Sequence, residues 1–444
     1  MPLDLDLQLL RRRVTEAPHD GAAWLALASG LERCGARDDA VETFYRARAL
    51  DAEADACRTS LQRLGARPSP WTHPTGDSER TFSAPVRGPS RGKVVLRRDL
   101  FTVEGGSPPK LHEGSIVCAP DGCVVAGRFG SVVHLEPTRF LPRSCWDVAP
   151  GASEPILPTV ASDGVILGVT NGRSRLYARL ADETVRALDP PDRFQWGHAM
   201  VDRAGTIAAL TIGAGATVYS RGLELVRQLP WPPSEAVFLD STLALSNGRR
   251  PLYDGRTREL VLMDLEGREL FRRSTLERPN LAFLGDGSLV LVSGERYLEG
   301  PLPGWLQFRV DVVDPEGTTI RSLVVGDGTI PSQLSVSLDG AIWLGAEGGL
   351  TRIGPGAKGW WTERDDPPAP SSHVITDRAG VGYYLTGSRL VARAPDGGVV
   401  FRVDEELSPV AIDALGRLLV LGRREARSAS GAFGGFTYFL AAVE

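Results

Sequence analysis

The sequence contains no apolar run approaching the ~18 residues a membrane-crossing helix needs. Its opening, MPLDLDLQLL, carries acids where a secretion signal carries bases, and no cleavage-like site follows. Cysteine is sparse and odd in number, five in 444 residues. That count argues against a disulfide framework and for a reducing cytosol. Lysine occurs only as Lys93, Lys110 and Lys358, so arginine carries the basic charge. GC-rich coding accounts for this before any functional arginine cluster does. Acid and base are interspersed at a net charge of −5, which leaves no basic footprint for a nucleic acid. Nucleophile elbow, phosphate-cradling loop and zinc-protease helix motif are all missing. The glycine-rich GAGAT at 213–217 sits inside a hairpin, opens no helix, and reads as a turn.

What is present is core and punctuation. Apolar residues make up 42% of the chain, enough for a sizeable interior. Fifty glycines and 32 prolines suit many short strands joined by many turns.

Residues 1–65 read as helices. Leu5–Thr15 is an amphipathic stretch ended by Pro18. Trp24, Leu27, Ala28, Leu31 and Gly35 then fall at helical spacing, followed after a turn by Ala40, Phe44 and Ala47. A further helix is expected over Ala54–Leu64. Residues 66–92 are a Pro/Ser/Gly linker with no element of its own, anchored at most by Trp71.

From residue 93 onward the chain is all strand. The densest unit is SQLSVSLDGAIWLGAEGGLTRIG at 332–354, in which Asp339-Gly340 turns one short apolar run into the next. Such a unit cannot bury both faces alone and needs copies of itself as neighbours. The equivalent centres are Asp121-Gly122, Asp163-Gly164, Ala204-Gly205, Asp240-Ser241, Asp286-Gly287, Ala379-Gly380 and Leu415-Gly416, spaced ~36–53 residues apart. A second turn follows in several repeats: Asp264–Gly267, Asp314–Gly317, Pro395–Gly397. Four strands per repeat predict a β-propeller of eight blades, with seven the alternative because Asp240-Ser241 is the weakest centre. The last repeat lacks a fourth strand, and Lys93–Leu100 is a strand with no hairpin partner. It is expected to close the ring against the strand ending near Val443, removing two exposed edges.

Two resemblances sharpen this reading. The Trp24-to-Ala47 pattern resembles a tetratricopeptide repeat, about one full repeat and two halves, although Ala52 stands where that family usually has proline. Such helices expose apolar surface at both ends and are expected to dock on the propeller or on a partner chain. SLDGAIWLGAEGGLTRIG resembles the propeller repeats of two-component-regulator sensors; the other repeats keep only the Asp-Gly centre, as pyrroloquinoline-quinone-like propellers do. The Trp-Asp dipeptide of another propeller family appears once, at Trp146-Asp147. These resemblances imply architecture and little about activity.

The candidate sites follow from blade position. GHAMVDRAG at 197–205 and SHVITDRAG at 372–380 are near copies, so His198 and His373 share a position at the start of the innermost strand. Ser115, Asn280 and Gln333 are equivalents in other repeats, beside apolar Leu157 and Pro409. The five polar ones predict a ring at the channel mouth able to touch a ligand. The plainer account is that such positions are wet and polar for that reason alone. Loops over 247–257, 294–304 and 422–435 are expected on the same face, offering Arg249, Arg250, Tyr253, Arg256, Tyr297 and Trp305, residue types that interfaces favour. Cys118, Cys123, Cys145 and His134 share one blade, but their spacing matches no standard zinc pattern, and small buried hydrophobes are the better reading. Asp202 and Asp377 sit beside turns, where Asp caps its own backbone. No catalytic residue, cofactor or metal is assigned.

These features predict a cytoplasmic, bacterial, non-enzymatic scaffold or adaptor that binds protein partners, with no nucleic acid and no membrane. The alternatives are a propeller enzyme of lyase or lactonase type with a metal at the channel mouth, and a small-ligand or glycan sensor domain.

Overall fold

In a computed structural model the chain is described over residues 2–67, 69–73, 81–104, 116–147, 156–161, 165–170, 176–180, 184–188, 195–201, 207–212, 215–219, 224–229, 249–254, 257–264, 266–275, 279–296, 306–327, 333–346, 349–355, 360–363, 373–427 and 433–444. Four helices open it: α1 (Pro2–Glu16), α2 (Gly21–Arg33), α3 (Arg37–Ala49) and α4 (Ala54–Arg63). Asp20 caps α2, its carboxylate accepting from the Ala22 and Ala23 amides at 3.0 and 3.1 Å. Helical spacing then turns Ala23, Leu27, Ala28 and Leu31 of α2, and Ala40, Phe44 and Ala47 of α3, into one buried seam. None of these helices is long and apolar enough to cross a membrane.

The strands form eight antiparallel sheets among the described residues. The outer strand of the last is β1 (Val94–Glu104). The first sheet runs β2 (Ile116–Cys118), β3 (Val124–Arg128), β4 (Ser131–Leu135), β5 (Pro142–Asp147). The second runs β6 (Ile156–Val160), β7 (Ile166–Thr170), β8 (Leu176–Arg179), β9 (Val185–Leu188). The third runs β10 (Gln195–Val201), β11 (Ile207–Ile212), β12 (Gly215–Tyr219), β13 (Leu225–Leu229). The fourth, as described, has three strands, β14 (Arg249–Asp254), β15 (Glu259–Asp264) and β16 (Glu269–Ser274). The fifth runs β17 (Asn280–Phe283), β18 (Leu289–Arg296), β19 (Leu306–Val313), β20 (Thr319–Asp327). The sixth runs β21 (Gln333–Val336), β22 (Ile342–Ala346), β23 (Gly349–Ile353), β24 (Trp360–Glu363). The seventh runs β25 (Ile375–Thr376), β26 (Gly382–Thr386), β27 (Arg389–Arg393), β28 (Val399–Val403). The eighth is β29 (Leu407–Ile412), β30 (Leu418–Arg427) and β31 (Phe433–Val443), completed by β1.

First strands touch in succession: β17 against β21, then β25, β29, β2, β6 and β10. Up-and-down sheets arranged with their first strands inward are a β-propeller. The turns explain the repeat. Gly122, Gly287, Gly340, Gly380 and Gly416 all lie at positive φ, between +76° and +86°, a conformation that costs a side chain dearly and glycine nothing. Each donates its amide to the carbonyl three residues earlier, at 2.8 to 3.1 Å. The Asp163-Gly164, Ala204-Gly205 and Asp240-Ser241 centres lie outside the described residues. Ring closure is as the sequence predicts: β1 pairs antiparallel with β31 from Val94↔Val443 to Glu104↔Gly435.

The helices dock on the turn face of the ring. A Cβ on Gly122 would lie 2.6 Å from Ala49 Cα, so the first blade's turn is pressed against the end of α3. Arg46 donates to Leu415 O at 2.6 Å in the eighth blade's turn. Arg378, beside the seventh blade's turn, pairs with Asp39 at 2.8 Å and Glu42 at 2.9 Å. Three neighbouring blades thus receive one helix, and a single hydrophobic cluster runs from Phe44 and Tyr45 through Trp71 into Val124, Ile412 and Leu440. This covers apolar surface that so short a helical array cannot bury by itself.

Candidate functional site

The innermost strand of each blade has one neighbour, so its other edge turns toward the channel with unpaired amides that need acceptors. The chain supplies them itself. Cys118 N donates to Trp71 O at 2.7 Å and Val160 N to Thr72 O at 2.8 Å. Val201 N donates to His73 Nε2 at 2.9 Å. Farther round the ring Val336 N donates to Thr81 O and Thr376 N to Phe82 O, both at 2.8 Å. All five donors stand four residues before their repeat's turn glycine, at positions 122, 164, 205, 340 and 380. The segment expected to be a plain linker therefore reads the same amide in five blades, passing blades one, two and three and then six and seven.

Its described side chains pack inward. Ser69, Trp71, His73, Phe82, Ser83, Ala84 and Val86 are all buried. Because His73 Nε2 accepts from Val201, its proton lies on Nδ1, which donates to Thr72 Oγ1 at 2.7 Å. The strap leaves the channel beside Asp377, whose carboxylate accepts from Gly88 N at 2.8 Å and Tyr383 OH at 3.2 Å. Burial raises the Asp377 carboxyl above its ordinary range, and burial together with Asp377 pushes the Tyr383 phenol far up. Asp377 is a turn cap, as the sequence reading holds, and also a clasp on the strap.

Beside this strap the expected ring of polar residues takes on a different aspect. His198 lies in β10, Asn280 opens β17 and Gln333 opens β21, while Ser115 lies outside the described residues. His373 precedes β25 and stacks on Phe82 of the strap, centroids 4.3 Å apart at 17°. The top-face loops are corrected in part. Arg249, Arg250 and Tyr253, read as loop residues, belong to β14, which pairs with β15 from Arg249↔Asp264 to Asp254↔Glu259. Tyr253 is buried there and presents no contact surface. Arg256, Tyr297 and Trp305 lie outside the described residues. The stretch 422–435 is also mostly strand, the far ends of β30 and β31. Beside it arginines lie over aromatic rings: Arg423 is 5.6 Å from half-buried Phe436, and Arg97 of β1 is 5.3 Å from buried Phe439.

The cysteines separate. All five are free thiols. Cys118 turns its sulfur toward Ile412 O at 3.9 Å, and Cys145 is exposed. Cys123 instead meets His134 and Asp121, their ligand atoms all within 4.8 Å of one another. Burial, with the Asp121 charge behind it, pushes the Cys123 thiol well above its usual range. Burial works against the Asp121 carboxylate, yet His134 and the Cys123 amide hold it far below the usual carboxylate range.

No protein-family model and no curated protein matches the chain. Solved structures it is similar to are β-propeller proteins. A streptogramin B lyase structure aligns over 79% of this chain and 98% of its own, at 11% identity and a TM-score of 0.42. Quinohemoprotein alcohol dehydrogenase from Comamonas testosteroni aligns over 86% and 82%, at 12% identity and 0.49. The WD40 β-propeller domain of Doa1 aligns over 53% and 77%, at 11% and 0.37. At such identities and scores no activity, ligand or residue role passes to this chain.

Proposed function

We propose that the protein is a non-enzymatic interaction scaffold: a short tetratricopeptide-like adaptor fixed to an eight-bladed propeller, which recognises protein partners through its surfaces. The observation that carries this reading is the strap in the channel. A propeller enzyme with a metal at the channel mouth needs free space there. Here Phe82 of the strap stacks on His373 itself, and in the third blade His73 bonds Val201, three residues beyond His198 on the same strand. On the eight-blade reading the two histidines belong to opposite blades. Opposite positions across a propeller mouth stand about a dozen ångströms apart, two to three strand spacings of ~4.8 Å. A metal–histidine bond is only ~2.0–2.1 Å.

The double variant His198→Ala, His373→Ala tests it. The variant is expected to keep its fold and to bind no less metal than wild type, measured by elemental analysis of the purified chain. Stoichiometric zinc or magnesium in the wild type that vanishes in this variant would establish the enzyme reading instead. Affinity capture with mass spectrometry then identifies the partner.

A further inference from the structure

Beside the turn of the first blade, away from the channel histidines, a set of side chains has the donor chemistry of a metal centre. Cys123 lies two residues before Val125, which stands directly opposite His134 on the neighbouring strand. The two-residue period of a strand therefore sends Cys123 and His134 to the same face, diagonal to each other. The ladder between β4 and β5 shifts register between His134 and Leu135, a bulge of the kind that re-aims a side chain. Asp121 is held by its own turn, its Oδ1 accepting from Cys123 N at 3.0 Å, so Oδ2 is left to face the other two. His134 is buried, and its Nε2 faces the Asp121 carboxylate with no well-aligned hydrogen bond. Asp121 Oδ2 stands 3.4 Å from that nitrogen, an ion-pair distance without hydrogen-bond geometry.

We propose that Asp121, Cys123 and His134 form a binding site for a divalent metal of the zinc type. A carboxylate oxygen, a sulfur and an imidazole nitrogen are the donors zinc accepts, and sulfur disfavours magnesium and calcium. Bonds of about 2.0–2.3 Å in tetrahedral geometry set donors about 3.3–3.6 Å apart. The Asp121–His134 pair is already there, and the set as a whole has little more than an ångström to close. Carboxylate plus thiolate neutralise a divalent ion. Arg143, 3.7 Å from Asp121 Oδ2, remains as an outer partner of the carboxylate. Cys123 gives up its thiol proton on binding, which leaves to solvent, so occupancy rises with pH. Three protein ligands leave the fourth position to water or to a donor from a partner. The site lies under the docked helices: Ala49 presses on Gly122, and Asp51, just beyond α3, pairs with Arg143 at 3.3 Å. A bound ion would therefore tie the blade-one turn at the seam with the helical domain.

The test uses the full chain, stripped with chelator and titrated with Co²⁺ and then Zn²⁺. One cobalt per chain is expected, with a thiolate-to-metal charge-transfer band in the near ultraviolet that zinc displaces. Cys123→Ser is expected to abolish the band. His134→Gln is expected to weaken binding at least about tenfold. The His198→Ala, His373→Ala variant is expected to bind like wild type, which separates this site from the channel. Absence of a one-to-one complex with the folded wild type overturns the proposal. So does a cobalt spectrum without the thiolate band, whether or not the variants fold. A band unchanged in Cys123→Ser overturns it equally.

Discussion

Deleting residues 93–100 is expected to unfold the ring and not merely to trim it. The deleted stretch is most of the ladder that β1 makes with β31, from Val94↔Val443 to Asp99↔Phe439. It also takes the reciprocal pair in which Lys93 N donates to Glu444 O at 3.0 Å and Glu444 N to Lys93 O at 2.9 Å. Each hydrogen bond contributes about 1 kcal/mol net, and the deletion leaves β31 with an unpaired edge beside buried Leu440–Val443. The loss is several kcal/mol, and the thermal midpoint should fall by roughly 10 °C or more. Leu100, buried against the hydrophobic cluster, is lost as well. An unchanged melting temperature would mean that β1 is an appendage and that the eighth sheet stands without it.

Trp71→Ala is expected to have the second largest effect. The indole is fully buried, and the residue's carbonyl accepts from the Cys118 amide. Truncating a fully buried tryptophan costs about 3–5 kcal/mol, the transfer loss plus the cavity left behind. The cavity here opens inside the channel, so Thr72 and His73 lose the anchor that seats them on Val160 and Val201. Chemical denaturation measures the loss, with exposed Ser90→Ala as the reference, expected within about 0.5 kcal/mol of wild type. A Trp71→Ala cost below about 1 kcal/mol would show that the strap lies on the ring without supporting it.

How far the fold was legible follows from where its signals are local. An Asp-Gly pair flanked by apolar runs demands positive φ at one residue, and that demand is visible in the letters at Asp121-Gly122, Asp286-Gly287 and Asp339-Gly340. Ring closure was legible as a deficit, a missing strand at one end and a spare one at the other. The strand residues 249–254, 422–427 and 433–435 read as loops in the sequence because their apolar alternation is weak. There, apolar alternation fades into arginine, as at Arg423 and Arg424. The strap was read as a spacer because it has no period at all. It pairs mostly by single bonds to successive blades, so nothing in PSPWTHP or TFSAPV repeats every second or fourth residue. Only its large apolar residues, Trp71, Phe82 and Val86, mark it as buried chain. The Asp121–Cys123–His134 cluster was half legible. Cys123 and His134 belong to one blade by repeat position, but the register that sets them diagonal, and the turn that brings Asp121 over them, are properties of the folded sheet.

Hydrogen exchange resolved to single amides, on the intact protein, tests the filled channel most directly. The amides of Cys118, Val160, Val201, Val336 and Thr376 face the strap and not a neighbouring strand. They are expected to exchange as slowly as ladder amides of β3 and β26, with Cys118 and Val160 losing that protection in Trp71→Ala. Exchange of all five within seconds in the wild type would mean that water, and not the chain, occupies the channel, and would contradict the account.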